Sequence, residues 1–580
     1  MAARRRKQTI DPVTFAVVRN ALISAAREIY WVFKRTTMLP ILYEYNDFGM
    51  SLYDDRLNLI AEAPGLPIFV GSLDDCIDRT ISELGGRENL RPGDILFNNH
   101  PYLTAGQPAD AALMEPIFHD DRLIGFGALR AHMGDLAAMG PYPTNATEVF
   151  QEGILLPAVK LYEEGRLNDT VVRILRANSR IPAETVGNTL AGAGALRAGS
   201  KALRAVVSRY GLETYYATID ELLDHGERVA REGIARIPDG VYRFEDVIDD
   251  DGVVLGVPVP VEVAITVAGS ELTIDTTGSA TQQLGPVNCP WGYTLTTARF
   301  SLKRLVSSGI PANSGENRPL TVIAPEGSVF NPVAPAASFI SWLTSLRLSD
   351  AIMAALAPAL PDEIPAMNGG DLAGILAYIA QPDGRWAFFW DEAGIGHGAK
   401  RGRDGMNGLI HPISAGIEAL PAELMETRMP ILKRRFELDR DSGGPGRWRG
   451  GLSTIAEYEF LSSGIAVTIS DRTTGEIRGL EGGGSPPRLN EVRFYADTER
   501  ELSLGKKSDL MVAAGDRFVN RPAGGGGFGN PFERDPGLVA EDVRNDYVSR
   551  EAARKLYGVA LREDGSVDVA GTNRLRRGKR

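Results

Sequence analysis

Two short stretches of this 580-residue chain hold most of its candidate chemistry: NNHPYLTAGQPAD at residues 98–110 and RAHMGD at residues 130–135. Each stretch comes at the end of a predicted strand, a place where side chains are often presented to a pocket. Two of the six histidines, His100 and His132, lie here among carboxylates, amides and small residues that let the backbone approach a ligand closely. We therefore predict that the functional site is built from these two strand ends.

The surrounding sequence predicts helices and strands in alternation over the first 236 residues. Asp11 followed by Pro12 is typical of a helix start, with Asp as the N-cap and Pro in the first turn. Apolar residues then recur at helical spacing as far as Phe33. Strands are predicted at 45–54, 95–97, 112–118 and 123–129, and helices at 73–84 and over 169–236. Asp47, near the start of the first of these strands, is a further candidate for the site.

A chain of this length is too long for one hydrophobic core, and the composition predicts several domains. After Ile237-Pro238-Asp239-Gly240, strand-like segments alternate with Gly and Asp turns. Helices are expected again at 294–305 and 345–356, strands over 456–518, and a helical tail that ends near Tyr557. We expect an α+β, multidomain protein. The predicted domains are a site-bearing α+β domain at 1–236, a β-rich domain at 237–345, a mixed α/β domain at 346–455, and a β-rich domain with a helical tail at 456–580.

The composition narrows the class of protein. Hydrophobic residues make up 43% and charged residues 24%, which is ordinary for a soluble globular chain. The formal net charge is −12 and basic residues cluster only at 4–7 and 574–580, so we expect solvated tails and no nucleic-acid partner. Cys76 and Cys289 cannot form a disulfide framework or a cysteine zinc site, which fits a reducing compartment. Without a signal segment or a run of about 18 apolar residues, we expect a cytoplasmic protein that does not contact a membrane.

The candidate site residues offer the donors that a divalent metal ion needs. Such an ion requires three or four converging nitrogen or oxygen ligands. His132 follows Asp110 by 22 residues, so helical spacing cannot bring the two together and only tertiary structure can. The possible donors are Asp47, His100, Gln107, Asp110, His132 and Asp135. The alternative on the residues alone is a set of structural polar side chains.

Three glycine-rich segments favour close backbone packing over ligand binding. GGGGFGN at 524–530 lacks the Lys-[Ser/Thr] ending of a P-loop and does not lead directly into a helix. The segments at 394–401 and 441–451 are predicted to be turns or interface loops. The chain has neither a Gly-x-Ser-x-Gly elbow nor a dinucleotide fingerprint after a strand, which disfavours a serine hydrolase or an NAD enzyme.

Several short motifs follow one another along nearly the whole chain. They are DPVT at 11–14, DF at 47–48, PY at 101–102, RAH at 130–132, QEGI at 151–154, GPVN at 285–288, IPANSG at 310–315, DSGGPG at 441–446 and GGGGFG at 524–529. Their order resembles the hydantoinase B/oxoprolinase family. That family includes the B-type subunits of N-methylhydantoinase, caprolactamase, acetone carboxylase and acetophenone carboxylase.

The resemblance implies a division of labour in a hetero-oligomer. An A-type partner of actin-like ATPase fold would bind and hydrolyse ATP, and the B-type chain would host the following step, with a small third subunit in some cases. The family's metal positions match Asp47, Asp110 and His132, while the fourth position is Gln107. A neutral amide is a poorer ligand than imidazole, so Zn or Mn binding would be weakened unless His100 serves as a substitute.

These departures bear on the reaction. Lactam opening needs a nucleophilic water, which a metal ion can supply, whereas carboxylation of an activated enol needs a base and a pocket that excludes water. We therefore predict a B-type subunit of an ATP-dependent ketone carboxylase, of the acetophenone carboxylase type, acting on a small carbonyl compound and bicarbonate. The expected catalytic residues are His132, His100 and Asp135, and the expected substrate contacts are Gln107, Tyr102 and Glu148. An ATP-dependent cyclic amide hydrolase and a non-catalytic scaffold are the alternatives.

Overall fold

The structure, a computed structural model, describes residues 10–104, 106–370 and 374–577. The strands are β1 (Phe48–Asp54), β2 (Leu59–Glu62), β3 (Ile95–Asn98), β4 (Asp110–His119), β5 (Arg122–His132), β6 (Val159–Glu163), β7 (Arg166–Leu167), β8 (Gly240–Ile248), β9 (Val259–Ala268), β10 (Glu271–Asp275), β11 (Leu320–Ile323), β12 (Gly374–Ala380), β13 (Trp386–Glu392), β14 (Ile431–Leu438), β15 (Thr454–Phe460), β16 (Gly464–Ile469), β17 (Glu491–Phe494), β18 (Leu502–Ser503), β19 (Lys507–Val512) and β20 (Arg517–Arg521).

The helices occur together with mainly antiparallel sheets, which is typical of an α+β fold, so the predicted fold class is confirmed. They are α1 (Pro12–Thr36), α2 (Pro40–Tyr43), α3 (Pro67–Val70), α4 (Leu73–Glu83), α5 (Pro101–Thr104), α6 (Asp169–Ala177), α7 (Pro182–Ile234), α8 (Trp291–Val306), α9 (Ser341–Leu356), α10 (Ala422–Arg428), α11 (Pro536–Arg544), α12 (Arg550–Leu556) and α13 (Val569–Arg576).

A seven-stranded antiparallel sheet carries the two strand ends singled out above. Its order is β2-β1-β5-β4-β3-β6-β7. β1 pairs with β5 from Phe48 opposite Ala131 onward, and β4 pairs with β5 with Asp110 opposite His132. The backbone N–H of His132 also donates to the carbonyl oxygen of Asp47 at 3.2 Å. The register of three adjacent strands therefore brings Asp47, Asp110 and His132 to one end of the sheet.

Helices cover both faces of this sheet, which explains why its central strands are apolar almost without interruption. On one face lie α1, capped by Asp11, and the 53-residue α7, which bends at Gly211 (φ +81°). Gly199 of α7 lies so close to α1 that an added Cβ would stand 2.2 Å from Ile29. On the other face α4 packs its buried residues against β3, β4 and β5. All seven residues of β1 are buried as a result.

Three further sheets lie among the described residues that follow β7. Their orders are β11-β10-β9-β8, β13-β12-β16-β19 and β14-β15-β20-β17-β18. One continuous cluster of buried apolar side chains joins them to the seven-stranded sheet. The last two sheets each combine strands from residues 346–455 and from residues 456–580, and the four-domain division stays a prediction.

The three glycine-rich segments pack against one another, backbone to backbone. A Cβ added to Gly396 would stand 1.9 Å from the carbonyl oxygen of Gly451, and one added to Gly450 would stand 2.0 Å from that of Gly525. The N–H groups of Gly525 and Gly526 donate to protein carbonyl oxygens at 3.0 and 2.8 Å. These N–H groups therefore stabilise the fold through internal hydrogen bonds. The sequence predicts close backbone packing for these glycine-rich segments, and the structure shows it.

The C-terminal part differs from the expectation of a tail. A further helix, α13, follows Tyr557, and Arg576 within it is buried, with its guanidinium donating to the carbonyl oxygens of Tyr557 and Arg534 at 3.1 and 2.7 Å. A solvated tail was therefore the wrong expectation for Arg576, because its side chain closes the last helix onto the preceding turn. The basic cluster at 4–7 and residues 578–580 lie outside the described residues. Among the described helices, none has the length and apolar character needed to cross a membrane.

Candidate active site

Gln107, Asp110 and His132 contact one another at the end of the seven-stranded sheet. Nε2 of Gln107 donates to Oδ1 of Asp110 at 3.0 Å and lies 3.0 Å from Nδ1 of His132. Nδ1 of His132 lies 2.9 Å from the same Asp110 oxygen. With Asp47, which precedes β1 beside His132, these residues form what we term the strand-end cluster. All four side chains are buried, each with at most 5% of its surface exposed.

The surroundings of Asp47 favour the protonated form of its carboxyl group. Burial raises its pKa well above the usual value, and the nearby carboxylates Asp110 and Glu392 raise it further, while His132 acts in the opposite direction. Asp47 therefore holds a proton more readily than an exposed aspartate. A protonated carboxyl group in this position is able to donate a proton or a hydrogen bond.

Helix α8 fixes Asp110 from the other side. The hydroxyl group of Tyr293 donates to Oδ2 of Asp110 at 2.9 Å, so both oxygens of this carboxylate have partners. Burial first, and then the charge of Asp110, raise the pKa of Tyr293 well above its usual value. Tyr293 therefore stays a neutral donor, and Asp110 is held in one orientation toward His132.

The Asp110–His132 contact suits general-base chemistry. When Nδ1–H of His132 donates to Asp110, the opposite ring nitrogen, Nε2, is left free to accept a proton. A carboxylate that fixes the tautomer and orientation of an imidazole in this way also stabilises the imidazolium that forms. The cluster therefore combines a base, its orienting carboxylate and a second carboxyl group that retains its proton.

An aromatic wall surrounds the His132 ring. Tyr142 and Phe388 lie roughly parallel to it, with ring centroids at 6.5 and 6.2 Å, and Trp390 meets it edge-on at 5.0 Å. Nε1 of Trp390 donates to Oε1 of Glu392 at 3.0 Å. These rings exclude water from His132 and strengthen the electrostatic interactions within the cluster.

The other predicted site residues lie outside the strand-end cluster. His100 immediately precedes α5, its ring centroid lies 6.0 Å from that of Tyr102, and burial lowers its pKa. Tyr102 donates to the carbonyl oxygen of Ala336 at 2.6 Å. Asp135 is buried in an ion pair with Arg180 at 2.9 Å, and Glu148 is exposed to solvent. Their proposed catalytic and substrate-binding roles stay predictions.

The side chains as arranged do not fit a divalent cation. Within the described part of the chain, no group of three or more His, Cys, Asp or Glu side chains is placed to hold a metal ion. Gln107 donates its amide N–H to Asp110 and turns the same nitrogen toward Nδ1 of His132, whereas its buried Oε1 has no hydrogen-bond partner among the described residues. A cation between these groups would face the amide N–H. The assignment of Asp47, Asp110 and His132 as metal ligands stays a prediction.

Sequence reasoning missed Tyr293, Trp390 and Glu392. Tyr293 is 183 residues away from the carboxylate to which it donates, and no local periodicity encodes such a contact. The strand β13 offered a weak signal, because Trp386, Phe388, Trp390 and Glu392 alternate along one face.

Comparisons with known proteins show the family of the chain. The Hydantoinase B/oxoprolinase family matches residues 11–531. The B chain of a putative D-/L-hydantoinase from Pseudomonas sp. (strain NS671) is 30% identical, with 98% of each chain covered. The beta chain of the caprolactamase from Pseudomonas jessenii is 29% identical, with 97% of this chain and 99% of that one covered.

Two solved structures share the fold. The ATP-dependent caprolactamase from Pseudomonas jessenii has a TM-score of 0.90 and 27% identity, with 98% of this chain and 100% of that chain covered. Acetone carboxylase in its nucleotide-free form has a TM-score of 0.88 with 98% of this chain and 82% of that chain covered. At 19% identity, the likeness to acetone carboxylase shows the fold alone.

Proposed function

We propose, from the premise that this chain belongs to the hydantoinase B/oxoprolinase family, that it is the B-type subunit of an ATP-dependent enzyme that opens a cyclic amide. We further propose that the strand-end cluster is its catalytic centre. The observation that carries the proposal is the contact of His132 with Asp110 at 2.9 Å in a buried, aromatic-walled position. A base oriented by a carboxylate is what addition of water to a carbonyl carbon requires.

Cyclic amides are favoured over ketones because of the relatives. The hydantoinase and caprolactamase chains match this one from end to end at 30% and 29% identity. The ketone carboxylase predicted from the sequence has only the 19% likeness to acetone carboxylase behind it, which supports the fold and not the reaction. Carboxylation of acetophenone or of another ketone is therefore the alternative that the experiment described below distinguishes from ring opening.

Each member of the cluster has a distinct role in the proposed reaction. Nε2 of His132 takes a proton from the water that adds to the carbonyl carbon, while Asp110 orients the ring. Asp47, whose pKa is raised by burial, gives a proton to the amide nitrogen of the substrate as the C–N bond of the cyclic amide breaks. Gln107 donates its amide N–H to Asp110 and so helps to fix the carboxylate that orients the ring. Because the arrangement does not fit a divalent cation, no step is assigned to a metal ion.

The energy for the reaction would come from a partner. We propose that ATP is bound by an A-type partner chain, which activates the cyclic amide, because the glycine-rich segments of this chain use their N–H groups in internal hydrogen bonds. The relative from Pseudomonas jessenii is itself named as the beta chain of a caprolactamase. A hetero-oligomer follows from this division of labour.

The reaction class is tested on the co-purified native complex. ATP hydrolysis is measured with hydantoin, 5-oxoproline, caprolactam and acetophenone, each with and without bicarbonate, and products are identified by mass spectrometry. We expect at least one cyclic amide to stimulate ATP turnover without bicarbonate and to yield its ring-opened acid. Bicarbonate-dependent turnover with a ketone would replace the proposal with carboxylation. A complex that turns over ATP with no carbonyl compound would favour a scaffold role.

A further inference from the structure

We propose that the surface cavity beside β13 binds the activated substrate on its way to the strand-end cluster, and that it takes a flat, largely apolar ring that carries one anionic group. This inference rests on the proposed function, because it assigns His132 as the destination. The cavity has a volume of about 440 Å³ and lies between residues 38–43, the start of α7, the first residues of β13, and the end of α10. A volume of this size suits a small organic molecule.

One aromatic residue, Phe388, belongs both to the lining of the cavity and to the surroundings of His132. Phe388 lines the cavity on one side, and on the other its ring lies nearly parallel to the imidazole, with centroids 6.2 Å apart and an interplanar angle of 15°. Phe388 is itself only 6% exposed. Rotation of this one side chain would connect the open cavity with the buried base.

The alternation of β13 extends this contact into a continuous aromatic face. Trp386 is 39% exposed at the cavity, Phe388 and Trp390 follow on the same face, and Glu392 ends it near Asp47. Phe389 and Asp391 point to the opposite face, where both contact Tyr458. Alternate residues of a strand are about 7 Å apart, so the rings form steps from the surface to the cluster. Such rings favour a flat, apolar ligand that stacks on them.

One charged side chain at the cavity, that of Arg428, is available to bind an anion. Its charged lining residues are Arg180, Arg385, Arg428 and Glu184. Arg180 and Arg385 are paired with Asp135 and Asp383 at 2.9 and 2.7 Å. Arg428 is exposed, and its guanidinium has no ion pair with any residue that the structure describes. A guanidinium group binds a carboxylate or a phosphate through two parallel hydrogen bonds, so Arg428 is the expected anchor for the anionic group.

The ligand class is tested by binding, without turnover. Phenyl phosphate is titrated into the native complex by calorimetry, with phenol, cyclohexyl phosphate and inorganic phosphate as partial probes. We expect phenyl phosphate to bind more tightly than all three. Arg428→Gln should weaken its binding by about 5- to 10-fold and Trp386→Leu by about 3- to 10-fold. The matched controls Arg434→Gln and Trp31→Leu, at exposed positions outside the cavity, should stay within about twofold. Equal weakening by the controls, or none by either cavity variant, would overturn the ligand assignment.

The route is tested by the reactivity of His132 toward diethyl pyrocarbonate, followed peptide by peptide with mass spectrometry. Phe388→Ala should speed modification of His132 by about tenfold or more, and Phe388→Leu should have a smaller effect. Bound phenyl phosphate should slow the modification of His132 in the wild-type complex. Half-buried His225 and fully buried His411 are the internal references, and neither rate should change. An unchanged rate at His132 in both folded variants would overturn the route. Neither assay depends on turnover, so loss of the proposed function is recognised separately through the activity of His132→Ala.

Discussion

Gln107 places one amide nitrogen 3.0 Å from both Asp110 and His132, and this single side chain decides whether the cluster is a hydrogen-bonded unit or a cation site. An amide presents a donor on one side and an acceptor on the other, and here the acceptor is buried without a partner among the described residues. An unsatisfied buried carbonyl oxygen costs on the order of 1–3 kcal/mol. Such a cost is common where function constrains the side chain.

Replacement of Gln107 by His is expected to create a metal site. The substitution Gln107→His adds an imidazole to two aspartates and His132, a donor set that zinc and manganese accept. We expect bound metal, measured by plasma mass spectrometry after dialysis against zinc or manganese, to rise from well below one equivalent to about one per chain. The matched control is Gln283→His, in a turn outside the cluster. A full equivalent in the wild-type chain, or no gain in the variant, would contradict the account of Gln107.

The buried carboxyl group of Glu152 is expected to make the stability of the folded protein depend on pH. Its carboxylate accepts from the backbone N–H of Phe339 at 2.6 Å and from the hydroxyl group of Ser338 at 3.3 Å, but burial is the larger effect and raises its pKa to about 8. Between about pH 4.5 and pH 8 the folded chain therefore holds a proton that the unfolded chain has lost. The free energy of unfolding must decrease as the pH rises through this window. We expect Glu152→Gln to be close to wild type in thermal stability at pH 5 and more stable than wild type at pH 8.5. Parallel stability curves across this range would contradict the raised pKa.

The elements that build the cluster differ in how far the sequence predicted them. The turns and apolar runs around β1, β4 and β5 predicted these strands, and antiparallel pairing then places Asp47, Asp110 and His132 side by side. Helix α8 was expected at 294–305 and begins three residues earlier, at Trp291, which brings Tyr293 into it. The contact of α8 with β4, like that of β13 with His132, depends on tertiary packing. Local periodicity carries no information about such partners.

Helix α8 is expected to stabilise the sheet through Tyr293. Tyr293→Phe removes the donor to Oδ2 of Asp110 and leaves a buried carboxylate oxygen without it. We expect a loss of about 1–3 kcal/mol in the free energy of unfolding, measured by urea denaturation. The control Tyr242→Phe removes an exposed hydroxyl that donates to the carbonyl oxygen of Pro238, and should cost less than about 0.5 kcal/mol. Equal losses in the two variants would show that Tyr293 does not brace Asp110.

Across the whole molecule, a buried charged network joins α9 to the ends of the C-terminal strands. Asp471 pairs with Arg347 and Lys506, and all three side chains are almost fully buried. Burial opposes ionisation of Asp471, yet the charges of Lys506 and Arg347 prevail and hold its pKa below the usual value. Composition and length predicted several domains, but they could not predict this network, because its members lie 35 and 124 residues apart.

Removal of the Asp471 charge is expected to weaken the whole molecule. Asp471→Asn leaves Arg347 and Lys506 buried without their shared anion, which typically costs about 3–5 kcal/mol. We expect a large fall in the unfolding midpoint, measured by circular dichroism and denaturant titration. The control Glu551→Gln breaks an exposed pair with Lys555 and should change stability by less than about 0.5 kcal/mol. If the free energy of unfolding of Asp471→Asn also differed from wild type by less than about 0.5 kcal/mol, the structural role of the network would be contradicted.

The most direct test of the catalytic assignment compares product formation with ATP hydrolysis in the native complex that carries His132→Ala. If His132 is the base, ring-opened product should fall by about 10²–10⁴-fold while the partner continues to hydrolyse ATP in the presence of the cyclic amide. His225→Ala, at a half-buried position on α7 outside the strand-end cluster, should leave both rates unchanged. Product formation at the wild-type rate in folded His132→Ala would contradict the assignment of the strand-end cluster as the catalytic centre.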